Sequence, residues 1–217
     1  MNTCYIFCAG EFDALAVPIE DGDLVIAADG GLRHTQQLGV IPDIVLGDFD
    51  SLGYVPEGAV VHPVEKDDTD AMLAVRQGLA RGFRKFVIYG GMDGPRLDHT
   101  IANLQTLGFL ARQGAGGYLV GLSFTATVIK DEKIVFSPDC DGIFSVFCLG
   151  NESVVSINGA KYEADHAILT AFFPLGVSNH FEGRQVEITV HSGTVITIFD
   201  RTNPFPQRFN IQKEESP

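Results

Sequence analysis

Four short segments carry most of the polar chemistry in the first half of this chain. They are Ala28-Asp29-Gly30-Gly31, Gly47-Asp48-Phe49-Asp50-Ser51, Lys66-Asp67-Asp68-Thr69-Asp70 and the run from Gly90 to His99, Gly-Gly-Met-Asp-Gly-Pro-Arg-Leu-Asp-His. Asp48 and Asp50 stand two residues apart at the end of an apolar run. In extended backbone that spacing puts both carboxylates on one side and Phe49 on the other. Two carboxylates held together repel unless a cation lies between them, and Mg²⁺ bridging phosphate oxygens is a cation of that kind. The same residues also suit a turn in which Asp and Ser cap backbone groups. Asp29 precedes two glycines, which either make a turn or let a phosphate approach a helix start. The acidic run ending at Asp70 has more carboxylates than N-capping needs. The glycine-rich loop offers backbone N–H groups and the Arg96 guanidinium to phosphate oxygens, although Arg96 can instead pair with Asp93 or Asp98. His99 can cap, pack or touch a substrate.

Composition narrows the chemistry further. Twenty-eight acidic side chains against 15 Lys and Arg leave a net charge of −13, a surface that repels nucleic acid and anionic lipid. A polyanionic substrate on such a protein requires local neutralisation, for which divalent cations are the usual means. Neither a Walker-type glycine loop nor a Gly-x-Gly-x-x-Gly fingerprint is present, which argues against P-loop and ordinary dinucleotide enzymes. Nor does any Ser, Cys or Lys stand in a nucleophile signature. The four cysteines lack zinc or redox spacing and read as core thiols. The apolar start of the chain is too short for a signal or membrane segment, so a cytoplasmic location is expected.

The elements that must position these residues change in kind along the chain. Through about residue 120, β-branched runs at 3–9, 24–28, 44–47, 59–62, 86–90 and 117–121 alternate with helical patterns, the signature of βαβ units. Met72, Val75 and Leu79 predict one helix after Asp68 and Thr69, and Ile101, Leu104 and Leu107 another after Asp98. Beyond Gly114-Ala115-Gly116-Gly117 the texture becomes short alternating strands with turn residues every 8–12 positions. The expectation is an α/β, Rossmann-like domain with a mostly parallel sheet over 1–122, then an all-β sandwich over 123–217, with a polar tail from about Gln207. In open α/β sheets the crevice beyond the strand carboxyl ends binds ligands, so all four segments can meet there.

In order and spacing, the four segments resemble the motif series of the thiamine pyrophosphokinases, and Gly176-Val177-Ser178-Asn179-His180-Phe181 resembles that family's thiamine-side segment. The resemblance implies an ATP-dependent diphosphotransferase, in which Asp29, Asp48, Asp50 and Asp70 hold Mg²⁺–ATP and support transfer. It assigns Gly30, Gly31, Thr69, Arg96, Asp98 and His99 to the nucleotide side, Ser178 and Asn179 to thiamine, and a homodimer to the assembly. Two positions depart from the family pattern. Pro95 replaces a common second glycine, and His180 replaces a common acid, for which Glu182 is a candidate substitute. Competing readings are a diphosphokinase for another hydroxymethyl heterocycle such as a pterin, and a non-catalytic protein that binds thiamine diphosphate or a nucleotide.

Overall fold

The computed structural model describes residues 2–49, 52–61 and 68–211. The chain divides into two compact units, Met1–Leu122 and Ser123–Pro217.

In the first unit, strands β1 (Thr3–Phe7), β2 (Leu24–Ala28), β3 (Ile44–Gly47), β4 (Val60–Val61), β5 (Lys85–Tyr89) and β6 (Gly116–Val120) pair in parallel in the order β4-β3-β2-β1-β5-β6. Among the described residues, α1 (Leu32–Leu38) lies between β2 and β3, α2 (Asp70–Ala80) between β4 and β5, and α3 (Leu97–Arg112) between β5 and β6. All five residues of β2 and four of the five in β1 are buried, as expected for a parallel sheet covered on both faces. From β1 the chain builds outward in one direction to β4, then crosses back to place β5 on the other side. Strand order therefore reverses between β1 and β5, and the loops leaving these two strands flank the crevice where open α/β sheets bind ligands.

Helices α2 and α3 form where their spacing predicts, but each presents a shifted face, and α1 was not predicted by spacing. Helix α2 buries Ala71, Ala74, Val75 and Gly78, while Met72 and Leu79 are only part-buried. Gly78 lies against Phe86 and Cys4, so small residues are what bring this helix close to the sheet. Helix α3 buries Asn103, Thr106, Leu107, Gly108 and Leu110 and leaves Ile101 52% exposed.

The second unit is antiparallel. Strands β7 (Phe124–Lys130), β9 (Ile143–Cys148), β12 (Asn179–His180) and β14 (Thr194–Asp200) pair in the order β12-β9-β14-β7, and β8 (Glu132–Phe136), β10 (Glu152–Asn158), β11 (Ala164–Thr170), β13 (Val186–Ser192) and β15 (Gln207–Asn210) in the order β11-β10-β13-β8-β15. Phe136, Phe144, Phe181 and Phe199 form an aromatic core with ring centroids 4.8–6.2 Å apart. Sequence alternation missed β11, β12 and β15. The first is an edge strand with one buried residue and two polar residues, Asp165 and His166, in its first half; the second has two residues, and the third is mostly polar. The polar tail expected from Gln207 is thus a strand on β8 through Asn210, anchored by Arg208, which bonds the Thr127 hydroxyl and the Glu132 carboxylate. Among the described residues, no helix is long and apolar enough to cross a membrane.

Candidate active site

The residues that open a cavity of about 470 Å³ in the first unit come from five chain segments. Its lining comprises Cys8, Ala9 and Gly10 after β1, Ala28 and Asp29 after β2, Asp48 after β3, Thr69 to Ala71 at the start of α2, and the loop after β5 with the first turns of α3. Pockets of roughly 300–1,000 Å³ are typical for small-molecule ligands.

Asp29, Asp48 and Asp70 each present a carboxylate oxygen, and these oxygens lie within 4.8 Å of one another. Three different elements deliver them. Asp29 opens a 3₁₀ turn (Asp29–Gly31) with φ at +48°, a conformation that Asp tolerates better than most residues but at some strain. Gly47 ends β3 with φ at +151°, and a Cβ there would sit 3.0 Å from the Asp29 Cα, so only glycine lets these two strand ends close together. Beyond Gly47 the chain leaves the strand, with buried Phe49 at φ +60° as the anchor. The alternation expected across Asp48 and Asp50 presumes extended backbone and does not hold at Phe49. Asp50, Ser51, Lys66 and Asp67 lie outside the described residues. Asp70 takes the first helical position of α2, where the helix dipole favours an anion, and the Thr69 hydroxyl caps that helix by accepting from the Met72 N–H at 3.2 Å. Asp68 is drawn off to Arg76 at 2.8 Å.

The glycines of the Asp29 segment serve packing. Gly30 and Gly31 are buried, and neither belongs to the described cavity lining. A Cβ on Gly31 would fall 1.9 Å from the Phe7 carbonyl oxygen, so this glycine sets the turn against β1. On the far side of the cavity, Gly91 and Gly94 line the wall with Met92, Pro95, Arg96 and His99. Arg96 makes a forked contact with Asp98, 3.0 Å from Nε to Oδ1 and 2.6 Å from Nη2 to Oδ2. That guanidinium hydrogen bond holds the Asp98 carboxyl down at about 2, although both side chains stand in solvent. Asp98 itself lies outside the described lining and pairs with Arg96, which is part of it.

Sequence reasoning missed several residues of the wall. Asn103 is 5% exposed and its amide donates to the Gly91 carbonyl at 2.8 Å, pinning the glycine loop to α3. A carboxamide among the apolar spacing of Ile101, Leu104 and Leu107 was the available signal. Cys8 lines the cavity with its thiol pushed up to about 12, by burial first and then by the Asp70 charge.

In the second unit, Ser178 is exposed, with φ at +59° and its N–H donating to the Ser145 hydroxyl at 3.0 Å. Asn179 is 5% exposed. Its carboxamide accepts from the Tyr162 N–H at 3.0 Å and donates to the Tyr162 carbonyl at 2.7 Å, so its polar atoms clamp Tyr162 to β12. His180 faces the Tyr162 ring at 6.5 Å, and Glu182 is committed to Arg184 at 3.2 Å.

A parallel α/β unit whose strand ends gather carboxylates around a ligand-sized cavity, followed by an antiparallel β unit, defines a two-unit architecture with its crevice in the α/β half. Family models sharpen this. Residues 17–115 match "Thiamin pyrophosphokinase, catalytic domain" and residues 131–195 match "Thiamin pyrophosphokinase, vitamin B1 binding domain". Together they span well over half of the sequence, and the chain belongs to the thiamin pyrophosphokinase family. Among solved structures, the thiamine pyrophosphokinase from Bacillus subtilis is similar at TM-score 0.80 and 21% identity, over 92% of this chain and 99% of that one. A thiamin pyrophosphokinase family protein from Enterococcus faecalis is similar at TM-score 0.74 and 21% identity, over 92% and 99%. Thiamin pyrophosphokinase from Candida albicans is similar at TM-score 0.73 and 14% identity, over 92% and 88%. At these identities the likeness establishes the fold. Comparison with curated proteins gave no match.

Proposed function

We propose that this chain transfers the terminal diphosphate of ATP, as one unit, to the primary hydroxyl of thiamine, giving thiamine diphosphate and AMP. The observation that carries the reading is the meeting of Asp29, Asp48 and Asp70 at one wall of a ligand-sized cavity, inside the segment that matches the family's catalytic domain. Three hard oxygen donors from separate elements fit a hard divalent cation such as Mg²⁺, and by its place in the sequence Asp50 is a fourth candidate. Bound there, Mg²⁺ would neutralise charge on the phosphate oxygens.

The chain's own groups do the rest. Thr69 sits at the α2 start with its N–H groups, and the Gly91–Gly94 loop supplies backbone donors around the phosphates. Arg96 turns its fork from Asp98 to a phosphate oxygen, with His99 beside it. The thiamine hydroxyl oxygen attacks the β-phosphorus, and the bond from that phosphorus to the oxygen bridging to the α-phosphate breaks. AMP leaves with that oxygen, and one aspartate takes the hydroxyl proton. In the second unit, Ser178 faces thiamine while Asn179 holds Tyr162 and the Ser178 segment in place. The reading includes a cytoplasmic homodimer, in which a second subunit covers Phe172 and Phe173, now 91% and 66% exposed.

Mass spectrometry of purified protein with ATP, Mg²⁺ and thiamine, and with each omitted in turn, tests the reaction. Equal amounts of thiamine diphosphate and AMP, formed only with all three present, support it. AMP formed with a pterin alcohol and not with thiamine would reassign the acceptor, and no AMP with either would favour a binding protein.

A further inference from the structure

His34 in α1 reaches one of the cavity's segments, Cys8 to Gly10, with its ring. Its Nε2 lies 2.7 Å from the Gly10 carbonyl oxygen. A ring nitrogen that faces a carbonyl must carry the proton, so Nε2 donates and Nδ1 of the neutral ring holds a lone pair. Nδ1 is buried and has no hydrogen-bond partner among the described residues. The ring packs on Phe12 at 5.2 Å, which meets Phe7 and Tyr89 edge-on at 5.7 and 5.4 Å. Gly10 in turn donates its N–H to the Gly90 carbonyl at 2.9 Å, and Cys8 donates to Tyr89 at 2.8 Å. The wall from Cys8 to Gly10 is thus tied on one side to the glycine loop after β5. On the other side the imidazole ties it to the helix that follows Asp29.

We propose that His34 is a positioning residue for the nucleotide: its Nε2–H occupies the Gly10 carbonyl oxygen and thereby fixes the Ala9–Gly10 wall of the cavity. The inference rests on the nucleotide reading of that cavity. A carbonyl oxygen carries partial negative charge. Released from His34, it is a mobile acceptor beside a site for a polyanion, and the wall it belongs to loses its tether to α1.

The test compares His34→Ala, His34→Gln and His34→Asn. A glutamine amide reaches the place of Nε2 and an asparagine amide the place of Nδ1, so only the first can restore the bond. In His34→Ala, KM for ATP rises about tenfold, the factor one hydrogen bond typically represents, while kcat and KM for thiamine stay within about twofold. Hydrogen exchange at the Gly10 amide accelerates in the same variant. Glutamine reverses both effects and asparagine neither. A lower melting temperature with unchanged KM and unchanged exchange would overturn the proposal, as would equal rescue by both amides, which would trace the effect to ring packing. If the wild-type protein turns over no ATP, the nucleotide reading fails separately. The Gly10 exchange pattern across the three variants then decides the tether: protection restored by glutamine alone upholds it, and any other order overturns it.

Discussion

At the scale of single residues, the site is defined by three carboxylates that separate elements bring together. Asp29, Asp48 and Asp70 converge to within 4.8 Å, and like charges held that close favour a cation bound among them. Asp48→Asn preserves the shape of the side chain and removes one charge. Turnover should fall at least about a hundredfold, a typical cost of losing one group that stabilises transition-state charge, with the protein still folded. Thermal unfolding gives a second measurement. Mg²⁺ should raise the wild-type melting temperature by mass action and raise that of Asp48→Asn much less, while the variant without metal should be at least as stable as the wild type. An identical Mg²⁺ response in the two proteins would refute the assignment of Asp48. The carboxamide of Asn179 shows the opposite economy. Two bonds to the Tyr162 backbone consume it, which places its influence on any ligand in the loop it holds.

Elements determine how far those residues can be trusted to stay in place. The start of α2 combines two duties, since Thr69 caps the helix and Asp70 beside it reaches the carboxylate cluster. Thr69→Ala should cost about 1 kcal/mol, the usual value of a lost N-cap. In a chain of this size that lowers the melting temperature by roughly 2–4 °C. The fraying should also weaken the Mg²⁺ response, and Thr69→Ser should retain both properties. Stability lost without any change in metal response would show that the cap and the cluster are independent. Helix spacing in the sequence located α2 and α3 but misjudged their buried faces. Periodicity ranks residues by hydrophobicity, whereas close approach to the sheet favours small ones such as Gly78, and the Gly91 carbonyl recruits a polar one, Asn103.

For the whole molecule, the burial that builds the parallel sheet also sets its response to alkali. Cys4 and Cys8, both in or just after β1, have thiols raised from 9.0 to about 12, chiefly by burial. Below pH 9 the folded and unfolded chains both keep these protons, and the thiols contribute no pH dependence. Between about pH 9 and 12 the unfolded chain loses them while the folded chain retains them. The folded state then binds more protons, so stability falls as pH rises. Denaturant unfolding at a series of pH values should show this decline, with a shallower slope in Cys4→Ala. Equal slopes would mean that these thiols ionise alike in both states.

The sequence by itself determined the six strands of the first unit, helices α2 and α3, the change from an α/β to a β texture, and which acids stand at strand ends. All of these follow from local spacing, because alternation, helical period and turn chemistry act over a few residues. It also carried enough of the motif series to point to the family. Only the tertiary structure decided which acids meet. The distance between Asp29, Asp48 and Asp70 depends on the strand order β4-β3-β2-β1-β5-β6 and on the approach of Gly47 to Asp29, and neither is a local property. For the same reason the structure alone showed that Gly30 and Gly31 are buried, and brought Asn103 and Cys8 to the cavity wall with His34 behind it on the Gly10 carbonyl. A side chain's neighbours across a sheet are set by crossovers tens of residues long, and no short window of sequence contains them.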